Sequence, residues 1–220
     1  MHTDRRSPAP VALTFDDGPD PDWTPLVLDA LADARARATF FVIASRARRY
    51  PSLVSSVLEQ GHVVAFHCMH HVRHDTMTPE EIDADVASGL LALGRSVRYW
   101  RTPWGLVTPA TEEVAKRHRL GLVGWTADTE DWRGGAPEEM LAGVRAEISP
   151  GVIVLMHDGV GPGAMRDGCA GTVDLVRPLV ALVRAHGLEP ATLDEFRQPL
   201  PDRNPDFRAK GAGIERVCGV

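Results

Sequence analysis

The chain has 220 residues, 44% hydrophobic and 25% charged, enough for one globular domain with a substantial core. Its 30 acidic against 24 basic residues leave a net charge of −6, which repels phosphate backbones and predicts no nucleic-acid partner. No apolar run reaches the roughly 18–20 residues needed to span a bilayer, so no membrane partner is expected. Cys68, Cys169 and Cys218 are an odd set with no CxxC pair. That argues against a disulfide framework or a zinc ribbon and fits reduced thiols. No secretory h-region precedes Val11, so the reading is cytoplasmic, or secreted if a leader has been removed.

In chain order, short β-branched or aromatic runs alternate with stretches of helical period. After an N-terminal extension at 1–10, a strand is expected at 11–17, a helix at 25–34, a strand at 38–43 and a helix at 46–60. Next come a strand at 63–67, a helix at 79–93, a strand at 97–102 and a helix at 109–118. The series ends with a strand at 121–127, a helix at 137–147, a strand at 151–157, a helix at 173–186 and a weak strand at 189–193. Prolines fall in the first turn of several helices, where the missing N–H costs nothing. Gly61, Gly94 and Gly187 follow three of them as caps would. Beyond Arg197 the alternation stops, leaving a tail at 197–220 and one domain at 11–196.

Strict β-α alternation implies a mostly parallel sheet covered by helices. Asp16-Asp17, His67, Arg101, Asp128 to Asp131 and His157 all fall at carboxyl ends of expected strands. A barrel gathers many such ends around one opening, whereas an open sheet concentrates chemistry at one switch point. The expected fold is therefore α/β, a distorted (β/α) barrel of about seven parallel strands.

Thr14-Phe15-Asp16-Asp17-Gly18-Pro19 ends the first strand with two carboxylates that point different ways, one free to bind a metal and the other to handle a proton. His67 and His71, at i and i+4, suit a metal, and His67 directly ends a strand. His70 and His74 share the spacing, but His70 does not follow a strand directly. Asp17, His67 and His71 then form a two-histidine, one-carboxylate site for one divalent ion, Zn²⁺ first, with Co²⁺, Mn²⁺ or Fe²⁺ also suited. Such an ion activates water for hydrolysis. Asp16 is placed as base and His157 as acid; Arg101 would keep Asp16 ionised, and Asp131 would orient His157 and raise its pKa. Trp104 and Trp132 are candidate pocket walls.

Read in order, Thr-Phe-Asp-Asp-Gly-Pro at 14–19, His67-x-x-x-His71, Arg101-Thr-Pro-Trp104, Asp128-x-x-Asp131-Trp132 and Leu155-Met-His157 resemble the five motifs of the polysaccharide deacetylase family. This is carbohydrate esterase family 4, the NodB-homology domain. Arg37 to Val42 is similar to its second strand. The resemblance spans about 11–193. It implies a metal-dependent deacetylase with Asp16 as base, Asp17, His67 and His71 as metal ligands, Arg101 as partner of the base, and Asp131 tuning the acid His157. It further implies that the Trp104 N–H supports the oxyanion and that Trp132 and Leu155 line the acetyl pocket. The substrate partner is an N-acetylated sugar, an oligosaccharide or a small N-acylated metabolite. O-deacetylation, cyclic-amide hydrolysis and silent metal or glycan binding are the other readings.

Three positions depart from the family pattern. Cys68 stands where a Ser or Thr hydroxyl usually braces the metal loop. Phe66 and Trp104 make an apolar, tight pocket the expectation. A Gly-rich loop from Asp158 through Gly171 follows His157, with Arg166 and Asp167 as candidate substrate contacts.

Overall fold

A computed structural model describes residues 9–196. Most of the expected extension and the whole 197–220 tail, with Cys218, lie outside the described residues. The strands are β1 (Pro10–Asp16), β2 (Thr39–Ile43), β3 (Val63–Cys68), β4 (Tyr99–Trp100), β5 (Gly121–Leu122), β6 (Ala127–Asp128), β7 (Ile153–His157) and β8 (Glu189–Ala191). They form one parallel sheet in the order β5-β4-β3-β2-β1-β7-β6, with β8 beside the start of β1. The helices are α1 (Thr24–Asp33), α2 (Ala44–Arg49), α3 (Pro51–Glu59), α4 (Pro79–Leu93), α5 (Pro109–His118), α6 (Pro137–Val144) and α7 (Ala170–Ala185).

The strand order shows why the sheet is a barrel. β5 and β6 stand at its opposite ends, roughly 29 Å apart if six strand spacings lay flat. Yet only residues 123–126 join them, a link that reaches at most about 18 Å. The sheet must curl until its edges face each other, as a distorted (β/α) barrel does. The expected strand at 121–127 is therefore two short strands, because the chain crosses the gap between the barrel's edges in its middle. The expected helix at 46–60 is likewise two. α2 ends at Arg49 with Tyr50 as its cap, and Pro51, which cannot donate the next helical bond, starts α3. The strand expected at 97–102 shortens to Tyr99–Trp100.

Period-two alternation splits the core into shells. Val11, Leu13 and Phe15 of β1, with Val154 and Met156 of β7, face outward into the largest cluster, against α1 and α7. Phe66 and Trp100 face α4 and α5 in a second cluster. Inside the barrel, Ala12, Phe41, Ala65 and Ile153 plug the floor. Above that floor the inward series continues with Thr14 and Asp16, His67, and Leu155 and His157. The same alternation that packs the core thus delivers the polar residues to one mouth.

Candidate active site

Register sets the first two groups. Asp16 pairs with His157 across β1 and β7, both facing inward. Asp17 then leaves the strand with φ 75°, a left-handed conformation that costs a non-glycine residue about 1–2 kcal/mol. The surroundings hold it there: Arg46 donates from Nη1 to the Asp17 carbonyl at 3.0 Å and from Nη2 to the Val160 carbonyl at 2.9 Å. Gly159 and Gly161 lie so close to Asp17 that a Cβ at Gly161 would overlap its carboxylate. This is the role of the glycines after His157: they let the loop close against the Asp17 side chain.

The turn sends Asp17 toward two imidazoles. Asp17 Oδ1 is 3.4 Å from His67 Nε2 and 3.3 Å from His71 Nε2. One ligand atom from each of the three residues lies within 4.8 Å of the others. Burial raises the Asp17 pKa, but the adjacent His67 and His71 imidazoles more than reverse this and hold the carboxyl well below its usual range. His67 is pulled down by burial and up, with the larger total, by Asp17 and Asp16. Its Nδ1–H donates to the Arg101 carbonyl at 2.6 Å, which fixes the tautomer and leaves Nε2 as the ligand atom. His71 differs, since its buried Nδ1 has no hydrogen-bond partner, and the ring instead makes an edge-to-face contact with Trp104, the ring centroids 4.3 Å apart. Asp17 Oδ1 is also buried and accepts no hydrogen bond. A buried carboxylate oxygen without a donor, facing two imidazole nitrogens, fits a divalent cation with nitrogen and oxygen ligands.

One flank of this triad is the Asp16–Arg101 pair. Arg101 is fully buried and donates from Nη1 to Asp16 Oδ1 and to Thr14 Oγ1, each at 2.8 Å. Its Nη2 donates to the Gly124 carbonyl at 2.8 Å, and its guanidinium lies 4.2 Å from the Phe41 ring centroid. Thr14 in turn donates to the Val154 carbonyl. Thr14 shares the inward face with Asp16 at the i−2 position, so its place was legible from period two, although its role was not.

The other flank is His157–Asp131. The imidazole Nδ1–H donates to Asp131 Oδ1 at 2.7 Å, and the His157 backbone N–H donates to Oδ2 at 2.9 Å. Thr172 Oγ1 donates to the same Oδ2 at 2.6 Å. Burial pulls the His157 pKa down, but Asp131, aided by Asp17 and Asp16, holds it up at about 9. At that value the imidazole carries its proton at neutral pH.

Arg166, a candidate substrate contact by sequence, lines the cavity and also braces it. Nη1 reaches Asp131 Oδ2 at 3.2 Å and Thr172, while Nη2 reaches the His157 carbonyl at 3.2 Å and the Cys169 sulfur. Asp167 is exposed and does not line the cavity. Phe66 also departs from expectation: strand alternation turns it away from the mouth and onto Trp100, so it does not shape the pocket. Trp104, Trp132 and Leu155 do line it, together with Trp125, which sequence reasoning had not singled out. The cavity is about 570 Å³ and takes in Asp16, Asp17, His67, His71 and His157.

With this geometry in place, the comparisons are specific. The family model described as polysaccharide deacetylase matches residues 3–123, more than half of the chain. The chain belongs to the polysaccharide deacetylase family. It is 37% identical over 161 residues to a chitooligosaccharide deacetylase from a Bradyrhizobium species, covering 71% of this chain and 74% of that protein. It is also 37% identical over 154 residues to a peptidoglycan-N-acetylglucosamine deacetylase of Bacillus cereus, covering 68% and 72%. A family 4 carbohydrate esterase from Streptomyces lividans, solved in complex with acetate, superposes with a TM-score of 0.77 at 26% identity, covering 88% of this chain and 98% of that one. This polysaccharide deacetylase family member is accordingly a deacetylase, a hydrolase on a distorted barrel.

Proposed function

We infer that the protein removes the N-acetyl group from an N-acetylglucosamine-containing oligosaccharide, using one divalent cation at Asp17, His67 and His71. The observation that carries this reading is the gathering, in one cavity of about 570 Å³, of that triad with a carboxylate on one flank and a protonated imidazole on the other. Relatives named for chitooligosaccharide and for peptidoglycan N-acetylglucosamine supply the substrate class.

Asp17, His67 and His71 would hold the cation, which would supply polarisation of the acetyl carbonyl and a water whose pKa is lowered toward about 7. Asp16 accepts the proton of the attacking water at its carboxylate, with Arg101 compensating the buried charge. His157 donates its Nε2 proton to the departing sugar nitrogen, leaving a free amine and acetate. Asp131 keeps Nδ1 protonated throughout, so that Nε2 is the nitrogen that gives up its proton. The Trp104 N–H supports the developing oxyanion, a contribution of about 2.7–4 kcal/mol per donor in well-placed sites. Leu155 and Trp132 receive the methyl group and exclude water behind it.

Acetate release tests the reading. Protein stripped of metal, then supplied with Zn²⁺, Co²⁺ or Mn²⁺, is offered N-acetylglucosamine oligomers, O-acetylated xylose and N-acetylated small amines. Metal-restored release from the oligomers is expected. Faster release from the xylose ester would make the enzyme an O-deacetylase, and activity untouched by stripping would remove the metal from the mechanism.

A further inference from the structure

The loop that carries the two metal histidines has an unusual support. Cys68 replaces the expected hydroxyl, and among the described residues its thiol makes no hydrogen bond; burial, then the charge of Asp85, pushes its pKa well up. His71 has no hydrogen bond at Nδ1. Something other than the usual contacts must fix this loop.

The support comes from the middle of α4. Asp85 is 9% exposed, and both of its oxygens point at the loop. Oδ2 accepts the Met69 N–H at 2.8 Å, and Oδ1 accepts the His70 N–H at 2.9 Å. The His70 ring adds a third contact from Nδ1 to Oδ1 at 3.1 Å, from a side chain that is itself 67% exposed. A carboxylate in a helix interior is not there for helix propensity, and one buried without a cation nearby needs strong donors. Here two consecutive backbone amides supply them, and both lie between His67 and His71.

The helix is brought within reach by Gly89, four residues on and on the same face as Asp85. A Cβ at Gly89 would stand 2.5 Å from the Phe66 ring and 3.4 Å from Met69 Cβ, so α4 lies almost in contact with β3 and the loop. A glycine costs a helix interior about 1 kcal/mol against alanine. The close approach offsets that cost by setting Asp85 under the loop. At the loop's near end, Trp100 Nε1 donates to the His67 carbonyl at 3.0 Å. The backbone from His67 to His70 is thus pinned at successive points, and the position of His71 follows from it.

We propose that Asp85 is a positioning residue for the metal centre. It preorganises the His67–His71 loop through the Met69 and His70 amides and takes over the task that a hydroxyl at position 68 performs in relatives. The proposal rests on the metal reading above. Its substitution weakens metal binding without altering any ligand, as loss of an outer support does.

The test measures Co²⁺ affinity by chelator competition in the full chain, in Asp85→Asn and in His70→Ala. Asp85→Asn is expected to bind about 10–100-fold more weakly and to regain acetate release when metal is raised to saturation. His70→Ala, which keeps both backbone bonds, is expected to stay within about threefold of wild type. Folded Asp85→Asn with wild-type affinity overturns the proposal. If Asp85→Asn does not fold, amide exchange in the metal-free wild type decides: Met69 and His70 amides should be protected like strand amides, and fast exchange at both overturns it. A wild type that binds no Co²⁺ would sink the metal reading, while protected amides would still support the loop brace.

Discussion

The two flanks of the site make opposite use of one device, a buried charge pair. On one side a cation, Arg101, accompanies the carboxylate proposed to take up a proton; on the other an anion, Asp131, accompanies the imidazole proposed to give one up. They also differ in what holds them. Arg101 is fixed by barrel elements alone: Thr14 on β1, the Phe41 ring on β2 and the 123–124 backbone that closes the barrel. Asp131 is fixed by Arg166 in the Gly-rich loop and Thr172 in the first turn of α7. The proposed base sits in the scaffold, and the proposed acid is held by a loop that also covers Asp17. Substrate entry and loop motion should therefore disturb the acid more than the base.

Removing either proton-handling group gives the largest expected effect. Asp16→Asn and His157→Ala should each lower kcat by about 10²–10⁴-fold while metal affinity is retained. An unchanged rate in one of them would show that its flank does not move a proton. Breaking the supports should separate scaffold from loop. Arg101→Met leaves Asp16 buried without its cation and should cost about 3–5 kcal/mol in denaturant unfolding. Arg166→Ala, where Asp131 keeps Thr172 and the His157 amide, should cost about 1–2 kcal/mol. Equal losses would erase the distinction.

Histidines away from the flanks sharpen it from another direction. His62 accepts the Ala38 N–H on its Nδ1, and burial, with the charge of Arg37, pushes its pKa down to about 4. His74 is pushed to about 4 by burial and by the charge of His67. Their folded values lie below the unfolded 6.5, so the stability they contribute is complete above pH 6.5. It is lost as pH falls toward 4, by at most about 3 kcal/mol each. His157 has the opposite sign: raised to about 9, it contributes stability that is complete below pH 6.5 and lost as pH rises through 9. Unfolding midpoints of the metal-free protein from pH 4 to 10 should fall at both ends, and His157→Gln should flatten only the alkaline side.

These contrasts show what the sequence could reveal. Asp16, Asp17, His67, Arg101 and His157 end or closely follow strands, and period two with β-α alternation places such residues at one mouth. Asp131 and Trp132 follow a strand so short that only their spacing marked them. The bracing of Asp131 by Arg166 was not legible, because a loop arginine carries no signal of what its guanidinium will meet. Thr172 and Asp85 lay hidden inside helices, where a small polar residue reads as surface. The split at residues 121–127 was invisible because the gap between the barrel's edges depends on the curl of the whole sheet.

The smallest expected effect is the most discriminating for the loop. Arg166 lies beside Asp131, so its removal leaves more of the Asp131 charge to act on His157. Arg166→Ala should raise the alkaline limb of kcat by about half a pH unit. A downward shift would mean that the loop sets the acid's exposure instead of its field.

The central claim is that His157 is the proton donor, kept charged by Asp131. Its most direct test is the pH dependence of acetate release from an N-acetylglucosamine oligomer in metal-saturated protein, wild type against His157→Gln. The wild type should lose activity through an apparent pKa below about 9, since the cation cancels the Asp17 charge that helps raise it. The residual activity of His157→Gln should lack that limb, and the same limb in both proteins would contradict the assignment.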